Sequence, residues 1–379
     1  MKLDVVVIGG GLVGSSIGYH LAARGASALL LDRVDRGRAS DAAAGIVSAE
    51  TYSGESDAWS ALALAASRHY PELIGELGST TAEEPAYGRC GMLIVAQDDV
   101  EVERFEAMLG QIRRRQREGA LPDDDELREI DRDRARELLP ELAEPRRAFY
   151  SARAARVDGR QLNRALVRAG RGKGLVCRAA AVDGLSVEAG RVTAVHSGGE
   201  SIEAEQFVIA GGAWSAAMAE QLGFALPVAP QRGQLVHLSA SKLACGSWPM
   251  VEGFRGHYLV PWADGHVVAG ATRETGSGFA LDPTPEGLRQ VLDEAVRLVP
   301  ALNRGALIEV RVGLRPLSAD GLPILGRLPG VANMVVATGH GPHGLHLGPY
   351  SGKLIADLLQ GESVAELAPF SPGRFRQAE

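Results

Sequence analysis

The run Gly9-Gly10-Gly11-Leu12-Val13-Gly14 constrains this chain more than any other feature. Its spacing is GxGxxG, and its neighbours give that spacing meaning. Leu3 to Ile8 reads LDVVVI, a short β-branched run that fits a buried parallel strand. Ser15 to Arg24 has good helix formers and a small-residue face, and Ala26 to Leu31 is a second apolar strand that ends in Asp32. The order is strand, glycine turn, helix, strand, acid. Gly9 permits the tight turn, Gly11 lets the backbone approach a pyrophosphate, and Gly14 lets the helix pack on the strand. The helix N-terminus offers free N–H groups to phosphates, and Asp32 stands where a carboxylate accepts hydrogen bonds from a ribose. A lone GxGxxG is weak evidence. In this context it predicts a dinucleotide site.

Two dinucleotides, NAD and FAD, use this motif. Arg38 to Ser48, reading RASDAAAGIVS, bears on the choice. Its small side chains let the backbone pass close to a bulky, flat ligand. An alanine-rich helix start is the alternative reading.

Length and composition set the frame. A chain of 379 residues is comfortable for two domains. With 45% hydrophobic and 23% charged residues it has the mixture of a soluble globular protein. Cys90, Cys177 and Cys245 are far apart and odd in number, which argues against disulfides and a zinc site. The net charge of −7 argues against nucleic acid. Arg113-Arg114-Arg115 sits among glutamates and reads as a solvated helix face. No run of about 18 apolar residues predicts a membrane span, and no signal peptide is visible, so a cytoplasmic location is expected.

Beyond residue 50 the pattern predicts a helix over Ser56 to Leu77, a strand over Gly88 to Ala96 and a charged helix over Val100 to Glu118. Asp158 is placed to cap a helix from Gly159 to Ala169. Gln206 to Gly212, QFVIAGG, reads as a buried strand whose end admits a ligand, with a helix opening at Ala213-Trp214-Ser215. Gln234 to Leu238, His257 to Val260 and His266 to Ala271 read as antiparallel strands of a second domain, followed by a helix over Pro285 to Val299. Val331 to Ala337 reads as the last core strand, ahead of a glycine- and histidine-rich loop and a helix over Gly348 to Gln360.

Four segments together resemble the D-amino-acid oxidase superfamily of FAD-dependent oxidoreductases, within it the glycine oxidase and sarcosine oxidase branch. They are VVVIGGGLVG, AAAGIVSAE, GLRPLSADGLPILGR at 313 to 327, and ATGHGPHGLHLGPYSGKLIADLL at 337 to 359. The resemblance implies an α/β fold. An FAD-binding Rossmann-like domain with a central parallel sheet would take 1–85, 145–222 and 310–379. A substrate domain on a large antiparallel sheet would take 86–144 and 223–309. It further implies that Gly9, Gly11 and Gly14 form the pyrophosphate loop and that Asp32 is the ribose acid, with Arg33 beside it. Ser40, Ala43, Ala44 and Gly45 would pass the diphosphate and isoalloxazine, and Val182 would meet adenine through its backbone. Gly211 and Trp214 would also border the cofactor, although Trp214 and Trp262 suit packing better than stacking on the flavin. Gly339, Gly341, Gly344 and Leu345 would lie against the flavin's pyrimidine edge. Arg315 would grip the substrate carboxylate with help from Tyr258, and His343 would stand on the substrate side.

The chemistry implied is oxidative deamination of a small amino acid such as glycine, sarcosine or a D-amino acid. The Cα hydrogen leaves as hydride to flavin N5, and the imine hydrolyses to a keto acid, with H₂O₂ formed if O₂ is the acceptor. An arginine fork holds a carboxylate bidentately, so Arg315 and Tyr258 position the substrate. N–H groups at the start of the helix after Gly344 would stabilise negative charge at the flavin edge. No cysteine follows Cys245, so FAD is expected to be noncovalent. Pro342 stands where a second substrate-side arginine is expected, with His343 next to it, which leaves glycine one candidate among several.

The residues alone leave other readings open. Arg315 could form a structural ion pair, and Tyr258 could be an ordinary strand aromatic. His340, His343 and His346 recur every three residues, but Gly and Pro interrupt the spacing and no carboxylate or Cys completes a metal set. A dehydrogenase passing electrons to a quinone, and a non-catalytic FAD-binding subunit of a flavoprotein complex, both fit the same residues. Amine class, stereochemical preference and any homo-oligomeric state also stay open.

Overall fold

Leu3–Ile8 lies at the centre of a sheet because both of its faces are apolar. Val5 and Val7 pack with Ile17, Leu21 and Leu30 on one side, and Val6 and Ile8 pack with Leu29, Leu31 and Phe207 on the other. An unbroken apolar run, not an alternating one, is what such a strand requires. The computed structural model describes residues 3–50, 56–79, 85–122 and 125–376.

Five parallel strands form this first sheet, in the order Val176–Ala179, Ala28–Asp32, Leu3–Ile8, Glu200–Ile209 and Met334–Thr338. Ile324–Arg327 adds an antiparallel edge next to Met334–Thr338. Gly184–Glu188 and Arg191–Ser197 form an antiparallel extension onto the first half of Glu200–Ile209. Helices Leu12–Ala23, Asp57–Gly78 and Gly344–Leu359 cover one face.

The second sheet has nine strands among the described residues. Val228–Ser239 pairs antiparallel with Ala306–Ser318 and with His266–Gly270, which pairs antiparallel with Tyr258–Pro261. Met250–Gly253 follows, then Met92–Ala96, Arg147–Ser151 and Leu127–Ile130. The pairing of Met250–Gly253 with Met92–Ala96 is parallel, so this large, mostly antiparallel sheet is mixed. Helix Asp99–Arg117 lays Phe105, Met108, Leu109 and Ile112 on one face, and helix Pro285–Leu298 lays Val291, Ala295 and Leu298 on the other. We propose that the chain divides along the two sheets, which takes Arg147–Ser151 and Ala306–Ser318 into the substrate unit.

Three local predictions differ from the structure for physical reasons. The first helix begins at Leu12, not Ser15. Ser40 Oγ accepts from the Leu12 N–H at 2.9 Å, a cap supplied from 28 residues away that no local pattern reveals. The last helix begins at Gly344, a full turn before Gly348, despite Gly and Pro in its first two turns. Arg115 is buried and donates to the Glu50 carbonyl at 3.4 Å, so the basic triplet is not wholly a solvated face. Asp158 caps Gly159–Gly172 by accepting from the Gln161 N–H at 2.9 Å.

Candidate active site

The glycine turn is tight enough that side chains are excluded. Gly9 has φ +111°, and a Cβ there would stand 2.4 Å from the Ala210 carbonyl oxygen. A Cβ on Gly14 would stand 1.9 Å from the Gly9 carbonyl oxygen. A Cβ on Gly11 would meet only Ser40 Oγ, at 3.4 Å, because Gly11 faces open space. Gly11 is also the N-cap of the first helix and gives it no side-chain cap. That end therefore carries N–H groups with no intrahelical acceptor, pointing into a cavity. Asp32 closes the adjoining strand beneath it, with Arg38 Nη1 donating to its Oδ2 at 2.6 Å.

The cavity holds about 390 Å³ and runs from this turn to the second sheet. Arg38–Ser40 and Ala42–Ile46 form one wall. Ala39–Asp41 is a single 3-10 turn, not the start of an α-helix, so the backbone stays extended enough to skirt the space. At the far end Arg315, Tyr258, Glu252 and Arg273 face inward from the second sheet.

Register explains that grouping. Glu252 pairs with Tyr258 and Tyr258 with Gly270 on neighbouring strands, while Arg315 pairs with Gln231. Arg315 lies above Gly233, where a Cβ would stand 2.6 Å from its guanidinium carbon. Its Nη1 donates to the Thr272 carbonyl at 2.8 Å. Among the described residues no carboxylate forms an ion pair with it. Burial holds the Arg315 guanidinium below its usual range and Arg273 adds repulsion, with Tyr258 working against both. Burial likewise pushes the Tyr258 phenol up, against the pull of Arg315. A buried cation without an ion-pair partner among the described residues, facing a cavity, is ready for an anionic ligand.

The third wall is the segment after Met334–Thr338. Gly341–His343 is a 3-10 turn, and helix Gly344–Leu359 starts from His343 without a side-chain cap. A second helix N-terminus thus opens on the same cavity. His340 Nε2 lies 3.1 Å from Ser351 Oγ, and His346 Nε2 lies 2.9 Å from Ser67 Oγ. Burial pushes His340 down to about 4 and His346 down to about 3, so both rings are neutral at pH 7. His343 packs edge-on against Trp59 with ring centroids 4.9 Å apart. Among the described residues no group of three or more His, Cys, Asp or Glu side chains is arranged to hold a metal.

Most of the residues singled out from sequence line this one cavity: Gly9, Gly11, Asp32, Arg33, Ser40, Ala43, Ala44, Gly45, Val182, Gly211, Trp214, Tyr258, Arg315, Gly341, His343, Gly344 and Leu345. Trp214 combines both readings, since it borders the cavity while stacking on Phe279 at 5.5 Å. Trp262 stacks on His266 at 5.8 Å, away from the cavity. Two residues do not reach the space. Gly14 packs behind the turn, as its spacing implies. Gly339 turns instead toward Ile324, whose Cγ1 would lie 2.9 Å from a Cβ there. Arg38, Glu252 and Arg273 escaped the sequence reading. For Glu252 a signal existed: an acid two residues from Met250 in an apolar strand is a polar group on a buried face.

The fit to a bound dinucleotide is chemical as well as spatial. Two helix N-termini whose N-cap residues add no side-chain cap, a carboxylate at a strand end and a wall of small residues suit the phosphates, ribose and flat ring system of FAD. Cys90, Cys177 and Cys245 all lie off the cavity, so none is placed to attach it.

A family described as FAD dependent oxidoreductase matches residues 4–358. The chain belongs to that family. This oxidoreductase is 32% identical to a glycine oxidase of Pseudomonas putida over 98% of its own length and 99% of that protein. It superposes on the crystal structure of an iminodiacetate oxidase from Chelativorans sp. BNC1 with a TM-score of 0.92 at 34% identity, covering 97% and 99% of the two chains. A glycine oxidase from Geobacillus kaustophilus gives a TM-score of 0.88 at 28% identity, covering 99% and 100%. The oxidoreductase has no helix among its described residues that is long and apolar enough to cross a membrane.

Proposed function

We propose that this oxidoreductase oxidises the carbon–nitrogen bond of a small amino acid, and that its substrate contains a glycine unit. The observation that carries this reading is Arg315, a guanidinium without a carboxylate partner among the described residues, set beside Tyr258 at the end of the FAD cavity. Glycine and iminodiacetate, the compounds named in relatives at 32% and 34% identity, share a carboxylate, a methylene and a nitrogen in sequence.

Bound FAD supplies the two-electron acceptor for the methylene hydrogen and passes the electron pair to O₂ as H₂O₂. The chain's own residues do the positioning. Arg315 takes both oxygens of the carboxylate, and Tyr258 adds a third contact, so the methylene is held in one orientation. Gly9, Gly11, Ser40 and Asp32 would hold the nucleotide half of the cofactor, and the N–H groups at Gly344 and Leu345 would face its ring system. The nitrogen lone pair displaces hydride from carbon, giving an imine. Water then adds, releasing glyoxylate and the amine.

The test is stoichiometry. With glycine, sarcosine and iminodiacetate offered singly, at least one is expected to give glyoxylate and consume O₂ in equal amounts. Glyoxylate formed with an artificial electron acceptor but without O₂ uptake would overturn the oxidase assignment. No product from any of them would overturn the substrate class.

A further inference from the structure

Four arginines line the cavity: Arg33, Arg38, Arg273 and Arg315. Two are neutralised by acids of the chain. Arg33 pairs with Asp35 at 2.6 Å, and Arg38 pairs with Asp32 and Asp41 at 2.6 and 2.9 Å. The other two have no carboxylate partner within ion-pair distance among the described residues. Arg315 is held by the Thr272 carbonyl, and the residue after Thr272 is Arg273, whose Nη1 donates to the Gly256 carbonyl at 2.9 Å.

Arg273 is exposed at the rim of the cavity and is tied there by its hydrogen bond to the Gly256 carbonyl. The turn from Gly253 to His257 closes through the Gly253 N–H to the His257 carbonyl at 3.0 Å. At Gly256, φ is +78° and a Cβ would lie 2.4 Å from Arg273 Nη1, so the turn has room for the guanidinium only because no side chain stands there. The segment that positions Arg273 also serves Arg315, because Thr272 precedes it. Glu274, the acid that follows, is already taken: it accepts from Arg232 at 2.5 Å and from Gln234 at 2.6 Å. Arg273 and Arg315 therefore face one space as like charges, close enough for Arg273 to act on Arg315.

Glu252 is the other charged group facing this end of the cavity. No described residue hydrogen-bonds its carboxyl group. Burial raises its affinity for a proton, opposed only by Arg273. That shift toward the protonated form lessens the repulsion an anion would meet beside it.

We propose that Arg273 forms a second carboxylate subsite, so that the preferred substrate is an N-substituted glycine carrying another acid group. Iminodiacetate is the simplest such compound. This rests on the amino-acid reading of the Arg315 site and assigns the specificity within it. One carboxylate lies on Arg315 and Tyr258, and the second lies on Arg273 with Glu252 beside it. The ligand's two negative charges relieve the repulsion between the two guanidinium groups.

Two unreactive probes test the subsite apart from turnover. Diglycolate has both carboxylates with an ether oxygen in place of the amine, and methoxyacetate has only one. Titrated into the FAD-loaded protein and followed by the visible spectrum, diglycolate is expected to bind about tenfold or more tighter. Arg273→Gln should bring the two affinities together, and Arg273→Lys should restore part of the difference. Equal affinities in the wild type, or equal weakening of both probes by Arg273→Gln, would overturn the subsite and leave Arg273 a structural prop for the 253–257 turn. Should the variants fail to hold FAD, the wild-type ratio of the two probes decides. A diglycolate preference without glyoxylate from any substrate would sink the oxidase reading while the subsite stands.

Discussion

Arg315→Met is expected to lower kcat/KM for the amino-acid substrate by about 10²- to 10⁴-fold, the cost of roughly 3–5 kcal/mol for breaking a buried ion pair from one side. Most of the loss should fall in KM, because Arg315 holds the carboxylate in the ground state as well as at the top of the barrier. The variant should fold and bind FAD normally. Arg315 donates to the Thr272 carbonyl and lies beside Tyr258 without an ion pair among the described residues, and methionine fills similar space above Gly233. Arg315→Lys should recover little, since an ammonium cannot take both oxygens of a carboxylate in one plane. Steady-state kinetics with the best substrate, together with the flavin content of the purified variant, checks this. Unchanged kinetics would remove Arg315 from substrate binding.

The second large effect separates the roles of two glycines in the same motif. Gly14→Ala places a methyl group 1.9 Å from the Gly9 carbonyl oxygen and 3.2 Å from Ala210 Cβ. Both neighbours directly follow central strands of the first sheet, Leu3–Ile8 and Glu200–Ile209, which hold them in place. The expected cost is about 4 kcal/mol or more, enough to leave the chain insoluble or to lower its Tm by ten degrees or so. Gly11→Ala meets only Ser40 Oγ at 3.4 Å. It should therefore fold with an unaltered circular dichroism spectrum and lose FAD affinity by about 100-fold, because its methyl group occupies the approach to the helix N-terminus. If Gly14→Ala folds normally, the packing account of the turn is wrong. If Gly11→Ala keeps full FAD affinity, the phosphates do not sit there.

The two halves of the site differ in how far sequence exposes them. The nucleotide half is carried by local grammar. Leu3–Ile8 is a strand as read, and Gly9, Gly11 and Asp32 come together because strand, turn and helix are consecutive. The substrate half depends on strands far apart in the chain. Glu252, Tyr258 and Arg273 meet Arg315 only through the register of Met250–Gly253, Tyr258–Pro261, His266–Gly270 and Ala306–Ser318. Tyr258 and Arg315 could be marked because they stand in segments that resemble a known family. Arg273 follows a strand end in no such segment, and nothing near it shows that a glycine turn at 256 will seat it. Gly339 shows the opposite failure. Its place in a glycine-rich loop suggests a ligand, yet its open side is taken by Ile324 of the neighbouring strand. Long-range packing decides which side of a loop faces the cavity.

The central claim is that bound FAD takes electrons from an amino acid with a glycine unit. The most direct measurement is the visible spectrum of the FAD-loaded protein under anaerobic conditions as iminodiacetate, sarcosine and glycine are added singly. The account predicts that the flavin bands bleach, with iminodiacetate acting at the lowest concentration, and that readmitted air restores them. A flavin spectrum left unbleached by all three compounds would contradict it.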